Sequence, residues 1–401
     1  MIIRKAFRFR LKTNSDLAQK LDQFSGCARF VWNRFWSMNK DRLNRKQPIL
    51  WYNEMAFWVT VWKDSVEYGF LKNCHSQILQ QSLKDLDKAY RDGFDKMQPL
   101  KRMPNKHKKS LHNSFRYPQG FKIEGNRLYL PKIGWVRFFK SQEIIGKAKN
   151  ITLSKKGNHW YAAIQVEYEA PVPVHPSQSD VGIDVGIKKF AALSTEKYIN
   201  PINSFRSEEN KLRKYQQKLS RKEKFSKNWQ KAKLKVSRIH ERIGNVRRDF
   251  LHKSSTILSK NHAMIVVEDL KIANMSRSAK GSKDEPGKNV AAKSGLNKSI
   301  LDQGWGEFRR QLEYKQEWSG GIFLKVNPKN TSITCKCGNI DKYNRVSQSE
   351  FCCTECGHRE NADIHAAKTV LAAGHAVLAC ESNLSKGRKQ ELLRKRELRS
   401  V

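Results

Sequence analysis

The sequence predicts a mixed α/β chain of several domains, and three observations point there. Residues 2–12 and about 118–170 alternate like strands, while the stretch between them spaces its apolar residues three and four apart. Farther on, VGIDVGIKKFAALS and AMIVVED read as apolar strands separated by long basic helices. Five of eight cysteines crowd into residues 335–356. A length of 401 residues allows roughly two or three domains.

Taken in order, Ile3, Ala6, Phe7, Phe9 and Leu11 alternate with basic residues and predict one edge-type strand. Leu17, Leu21, Phe24, Ala28, Val31 and Phe35 then mark an amphipathic helix, and Leu79, Leu83, Leu86 and Tyr90 a second. Between them lies an aromatic-rich segment with Trp51, Tyr52, Phe57, Trp58 and Trp62. A basic loop over 98–113 carries Pro99 and Pro104. Short strands return from about 118, with hairpin turns predicted at Gly125-Asn126 and Gly157-Asn158. The segment PVPVHPSQS, 171–179, is the best linker candidate. Beyond it, Leu212, Tyr215 and Leu219 predict a short helix, and Val236, Ile239, Ile243, Val246 and Phe250 a longer one. The two form a hairpin with basic outer faces. A Ser-, Lys- and Gly-rich loop is expected at 276–298, and a helix through Leu301, Trp305, Phe308 and Leu312. After the cysteine-rich insert, 363–378 reads as a final helix, followed by a charged tail.

Charge narrows the function. There are 78 Lys and Arg against 38 Asp and Glu, a net charge of +40 spread along the whole chain. Such a surface implies extended, salt-sensitive contact with a phosphate backbone. The start, MIIRKAFRFRLK, has no signal-peptide pattern, and no run reaches the roughly 18 apolar residues of a membrane span. Clustered cysteines argue for metal ligation in a reducing cytosol rather than a disulfide framework. The expected location is therefore cytoplasmic.

Three acids stand apart from this balance: Asp184 in VGIDVGI, Glu268 in MIVVED and Asp363 in NADIHAAKTVL. A carboxylate in an apolar setting is expensive unless a cation holds it. Divalent magnesium, bound by a few hard oxygen ligands, can activate water and stabilise a leaving oxygen in phosphodiester hydrolysis. Asp184 suits a bridging ligand, with Gly182 and Gly186 expected to leave room for a phosphate backbone. Asp180 and Asp269 compete on composition alone, and Asp363 could be a plain helix cap.

In the insert, Cys353 and Cys356 have the two-residue gap of a zinc knuckle, with Gly357 at the turn. Cys335 and Cys337 have one intervening residue, a spacing expected to strain the site. Four thiolates would make a structural zinc site, with Cys352 spare or a replacement ligand.

The order DVGIDVG, RIGNVRRDFLHK, VVEDL, GWGEFRRQLEYK, TSITC, FCCTECGH and NADIHAA resembles the TnpB family of transposon-encoded RNA-guided nucleases, related to compact type V CRISPR effectors. CARFVWNRFW and LQQSLKDLDKAY extend the likeness to the N-terminal part. The resemblance implies an RNase H-like (RuvC) nuclease domain over 173–326 and 361–380, with a zinc-ribbon-like, target-nucleic-acid-binding insert at 327–360. It implies a wedge-type β-barrel from 1–14 and 117–172, interrupted by a helical recognition lobe at 15–116, and leaves 381–401 as a disordered tail. Asp184, Glu268 and Asp363 become the catalytic, magnesium-binding triad with two ions; Cys335, Cys337, Cys353 and Cys356 hold one zinc. Partners are a guide RNA from the transposon end and double-stranded target DNA read by pairing beside a short motif. A monomer is favoured. Candidate nucleic-acid contacts are Tyr52, Gln80, Arg238, Arg242, Arg247 and Arg248. The chain departs from the family in its CKC and in His365, where Asn is usual; His365 is expected to cap the helix or to reach the carboxylate site. A guided DNA-binding regulator that does not cut is the alternative function, and a strand-joining transposase a third.

Overall fold

The computed structural model describes residues 2–98, 102–108, 113–171, 173–282 and 285–397, with side chains described through Cys380. Pro99, in the basic loop, lies outside them. The chain divides into two compact units between Pro171 and Val172, within the segment read as a linker.

The first unit contains β1 (Ile2–Arg10), α1 (Ser15–Asn44), α2 (Tyr52–Asp64), α3 (Ser76–Phe94), β2 (Ser114–Tyr117), β3 (Lys122–Glu124), β4 (Arg127–Leu130), β5 (Gly134–Arg137), β6 (Lys147–Lys156) and β7 (His159–Glu169). Asn14 caps α1 by accepting from the Leu17 amide at 2.9 Å. The aromatic segment becomes α2, whose Met55, Val59 and Trp62 are buried one helical turn apart. Sheet order is β1-β7-β6-β2, with β1 at the edge as its alternation predicts. Both predicted hairpins form. Gly125 and Gly157 take φ of +54° and +58° at the first position of two-residue loops. The strands β3-β4-β5 make a separate sheet, joined to the first by a bridge between Leu11 and Phe138. Among the described residues these are two sheets, and no continuous ring of ladders closes them into the expected barrel.

The second unit contains β8 (Asp180–Val185), β9 (Ala191–Leu193), β10 (Tyr198–Ile199), α4 (Ser204–Ser220), α5 (Lys227–Asn261), β11 (Met264–Glu268), α6 (Ile272–Met275), α7 (Val290–Gln303), α8 (Trp305–Ser319), β12 (Ile322–Val326), β13 (Glu350–Cys352), β14 (Arg359–Asn361) and α9 (Ala362–Glu397). Its sheet order is β10-β9-β8-β11-β12, antiparallel on the β9 side and parallel from β8 through β12. Strand alternation sorts the side chains. Val181, Ile183, Ile265 and Val267 pack with Leu251, Leu258, Phe308 and Leu312 of α5 and α8. Met264 and Val266 pack on the other face with Val370 and Leu371 of α9. Fully burying one such Val, Leu or Ile contributes about 1.5–3 kcal/mol, so the apolar faces dominate the layering.

The helix α9 lies unusually close to the sheet. A Cβ on Gly182 would stand 2.1 Å from the Ala367 carbonyl oxygen, and one on Gly374 2.4 Å from a Val266 methyl. The space beside Asp184 at Gly182 is thus filled by helix, not kept free for phosphate. Two other expectations change. Residues 290–298 are helical, and the helix through Leu301 and Leu312 is two helices parted by Gly304 at φ +74°. Leu301 is exposed while Ile300 is buried. The charged segment from 381 continues α9 in its backbone to Glu397, because Leu, Glu, Lys and Arg without proline favour helix. The end of the expected tail, 398–401, lies outside the described residues. None of the described helices is long and apolar enough to cross a membrane.

Gly182→Ala is expected to destabilise the second unit by roughly 1–3 kcal/mol or more, because the methyl meets a backbone carbonyl that cannot turn aside. Thermal unfolding of the variant checks this: an unchanged Tm would mean that α9 is not seated against Gly182.

Candidate metal and zinc centres

Asp184 and Glu268 stand near the carboxyl ends of the adjacent parallel strands β8 and β11, where open α/β sheets gather their sites. Alternation turns both toward the α9 face, the same side as Gly182 and Val266. Asp363 is the second residue of α9, so the start of that helix brings in the third acid. Its own cap is Asn361, whose Oδ1 accepts from the amides of Asp363 (3.0 Å) and Ile364 (3.3 Å). The Asp363 carboxylate is therefore not spent on capping.

Burial is the largest influence on Asp184 and raises its pKa to about 7, with the Glu268 and Asp363 charges adding to it and Arg345 opposing. Glu268 is also raised, chiefly by burial, while the Thr331 hydroxyl, donating to its Oε1, works against that. Arg345, from the insert, reaches Asp363 Oδ1 at 3.6 Å. Half-buried carboxylates whose charges act against one another suit divalent cations and hard oxygen coordination.

The competing acids are separated by geometry. Asp180 shares the α9 face but lies at the opposite end of β8, 3.6 Å from His375. Asp269 follows the end of β11, where the parity reverses, and pairs with Arg309 of α8 at 2.7 Å. Sequence reasoning missed two neighbours of the acids. Thr331 sat in view within TSITC; Arg345, in NRVSQ, had no local signature.

In the insert the four sulfur atoms of Cys335, Cys337, Cys353 and Cys356 all lie within 4.8 Å of one another. Cys335 faces Cys356, and Cys337 faces Cys353, each at 3.6 Å. A tetrahedron with Zn–S bonds of ~2.3 Å has edges of about 3.8 Å, so the set fits zinc. The short CKC gap does not keep its sulfurs apart. Gly338 takes φ +96° and its amide returns to the Cys335 carbonyl at 3.0 Å, matching the Gly357 turn back to Cys353 at 3.1 Å. Cys352 stands aside, accepting from Arg359 Nε at 3.4 Å.

His365 does not cap α9, and the carboxylate it meets is that of Glu360, at 3.4 Å from Nδ1, rather than Asp184, Glu268 or Asp363. The imidazole is buried, stacked on Phe351 at 3.6 Å, with Nε2 2.8 Å from the Thr334 carbonyl. Donor atoms of His358, Glu360 and His365 also converge, but the Lys368 ammonium already donates to Glu360.

The candidate nucleic-acid contacts divide. Gln80 is exposed on α3, one turn before Lys84, whose ammonium lies 5.3 Å over the Tyr52 ring. Arg238 is exposed on α5. Arg242 pairs with Glu208 at 3.3 Å, and Arg248 donates to Asn245 at 3.4 Å. Arg247 holds the Leu301 carbonyl at 2.9 Å and approaches buried Asp302 at 3.6 Å, so it fastens α5 to α7.

Family profiles described as "Probable transposase", "Cas12f1-like, TNB domain" and "Helix-turn-helix domain" match residues 163–279, 305–370 and 1–47. The last stretch folds here as β1 and the single helix α1. "Putative RNA-guided DNA endonuclease InsQ" of Escherichia coli (strain K12) is 49% identical, over 96% of this chain and 97% of its own length. A Streptomyces pristinaespiralis protein with the same description, without the suffix, is 30% identical over 94% of this chain and 91% of its own. The solved Cas12f1–sgRNA–target DNA complex covers 92% of this chain and 99% of its own, at 16% identity and a TM-score of 0.32.

Cys353→Ser is expected to lower bound zinc from one equivalent to well under one, whereas Cys352→Ser leaves it at one; metal analysis of the purified variants checks this. A second expectation concerns pH. In metal-free protein the folded Asp184 holds its proton up to about pH 7, whereas its ordinary pKa is 3.8. The folded state therefore binds more protons between those values, and stability falls as pH rises through them. Asp184→Asn should raise Tm most above pH 7 in chelator and least near pH 4. Parallel Tm curves for the two proteins would contradict the burial of this acid.

Proposed function

The chain belongs to the TnpB family of transposon-encoded RNA-guided DNA endonucleases, and on that footing we propose that Asp184, Glu268 and Asp363 form its magnesium-dependent DNA-cutting centre. The observation that carries the reading is the convergence of three acids from distant segments on one face of the sheet, buried enough to raise Asp184 to about 7. The sheet order, in strand sequence 3-2-1-4-5, supports an RNase H-like (RuvC) nuclease core.

Two magnesium ions bound there would supply an ionised attacking water and Lewis acidity for the leaving oxygen. The chain's residues set the geometry. Asp184, between the other two acids in the electrostatics of the site, is the bridging candidate. Thr331 fixes the Glu268 carboxylate through its hydroxyl. Arg345, beside Asp363, is positioned to meet a phosphate oxygen as the substrate arrives.

Zinc held by Cys335, Cys337, Cys353 and Cys356 would keep folded the insert that brings in Arg345. The net charge of +40 holds the guide RNA and the target duplex, whose sequence is read by base pairing after a short adjacent motif is admitted near Tyr52 and Gln80. The split N-terminal β module and its helices serve as the wedge and recognition lobes. The guide is copied from the transposon end.

Purified protein with guide RNA and magnesium should cut a matched duplex. Asp184→Ala should remove cutting to background, a loss on the order of 10⁴-fold or more, the scale for a member of a cooperating catalytic set. Equal cleavage by the variant would overturn the assignment. Target occupancy without cutting by the unaltered protein would instead make it a guided regulator.

A further inference from the structure

We propose that the tip of the α4–α5 hairpin is a base-stacking site: the ring of Phe225, backed by Trp229, takes an unpaired nucleobase of a polynucleotide strand while Lys222, Lys224 and Lys227 hold the flanking phosphates. The proposal rests on the reading of this chain as a nucleic-acid enzyme and adds a contact outside the carboxylate centre.

Phe225 is 77% exposed and sits at φ +70°. That left-handed region suits glycine and is a genuine outlier for a bulky side chain. The strain is held in place rather than relaxed. Gln230 Nε2 donates to the Phe225 carbonyl at 3.0 Å, and Ser226 Oγ caps α5 by accepting from the Trp229 amide at 3.1 Å. Below the tip, Leu212, Ile239 and Ile243 lock the two helices together. A rigid stem thus presents a strained aromatic ring to solvent, the kind of local strain that collects at functional sites.

An apolar residue just before a helix cap is ordinarily a staple that packs on the fourth helical residue. Here that residue is Gln230, which turns its amide to the backbone instead. The Phe225 ring lies 5.5 Å from Trp229 at 52°, a contact that leaves most of it bare. Lys233 stands 4.9 Å over the Trp229 ring.

The surrounding charge selects the occupant. Between Lys211 and Lys235, Glu223 is the one carboxylate in the sequence. Among the described residues no acid forms an ion pair with Lys222, Lys224 or Lys227. An exposed aromatic ring flanked in the chain by exposed lysines without acidic partners matches one chemistry, a base carried on a phosphate backbone. RNA and DNA strands share it.

The test uses the full chain with single-stranded RNA and DNA oligonucleotides bearing 5-iodouracil, which crosslinks to stacked aromatic rings on irradiation. Crosslinks should map to Phe225 or Trp229, and the strand that gives them identifies the source of the base. Phe225→Gly should keep or raise Tm, since it relieves the backbone, yet weaken binding by about 5-fold or more without changing its salt dependence. Phe225→Tyr should retain affinity. Lys224→Gln should instead lower the logarithmic salt slope by about one. A Phe225→Gly variant that loses Tm but keeps affinity would make Phe225 a staple and overturn the proposal, as would crosslinks that avoid the tip. Failure of the unaltered chain to bind either strand would sink the nuclease reading as well.

Discussion

The second unit depends on the close seat of α9 against β8 and β11. Gly182 on the sheet and Gly374 on the helix let two backbones approach until a single added methyl has no place to go. Packed interiors do not deform smoothly, so this contact fixes the helix in both translation and rotation. Because Asp363 opens the helix, the same contact fixes where the third acid stands relative to Asp184 and Glu268. A glycine that reads as space for substrate is space for a helix, and the geometry of the site follows from it.

Around that seat the electrostatics oppose the composition. A chain with net charge +40 half-buries three carboxylates near one another and sets Arg345 beside Asp363. Burial, with repulsion from Glu268 and Asp363 added to it, lifts Asp184, so positive charge placed among the acids would stabilise them. The insert contributes to the balance from outside the sheet. Its His365–Phe351 stack and the His365 contact to Thr334 tie the sulfur cluster to the first turns of α9. The four-cysteine cluster and Asp363 are thereby both tied to the start of α9.

Much of this was legible in sequence because it is local. Period-two and period-3.6 patterns found β1, α1, α3 and α5, an unbroken apolar run found β11, and Gly-Asn pairs found both hairpins. The helix of 290–298 was hidden by Ser294, Gly295 and Asn297, whose weak propensities are overridden by packing at Ile300. Gly304 broke a helix that the apolar spacing joined, since its left-handed φ ends α7 and starts α8 anew. The CKC gap looked too short only while the backbone was imagined as a standard knuckle; a glycine at positive φ closes it.

By itself, the sequence determined the chemistry on offer: the three acids in apolar surroundings, the four paired cysteines and the basic charge that calls for polyanions. Residue type and spacing carry that information because ligands and charges are properties of side chains. Only the tertiary structure put Glu268 on the Asp184 side of the sheet and Asp269, one position on, against Arg309 on the other. It likewise placed Asp180 at the far end of β8, gave Arg345 to the site and removed His365 from it. Those outcomes turn on which face α9 covers, a contact between segments about 180 residues apart that no local pattern encodes.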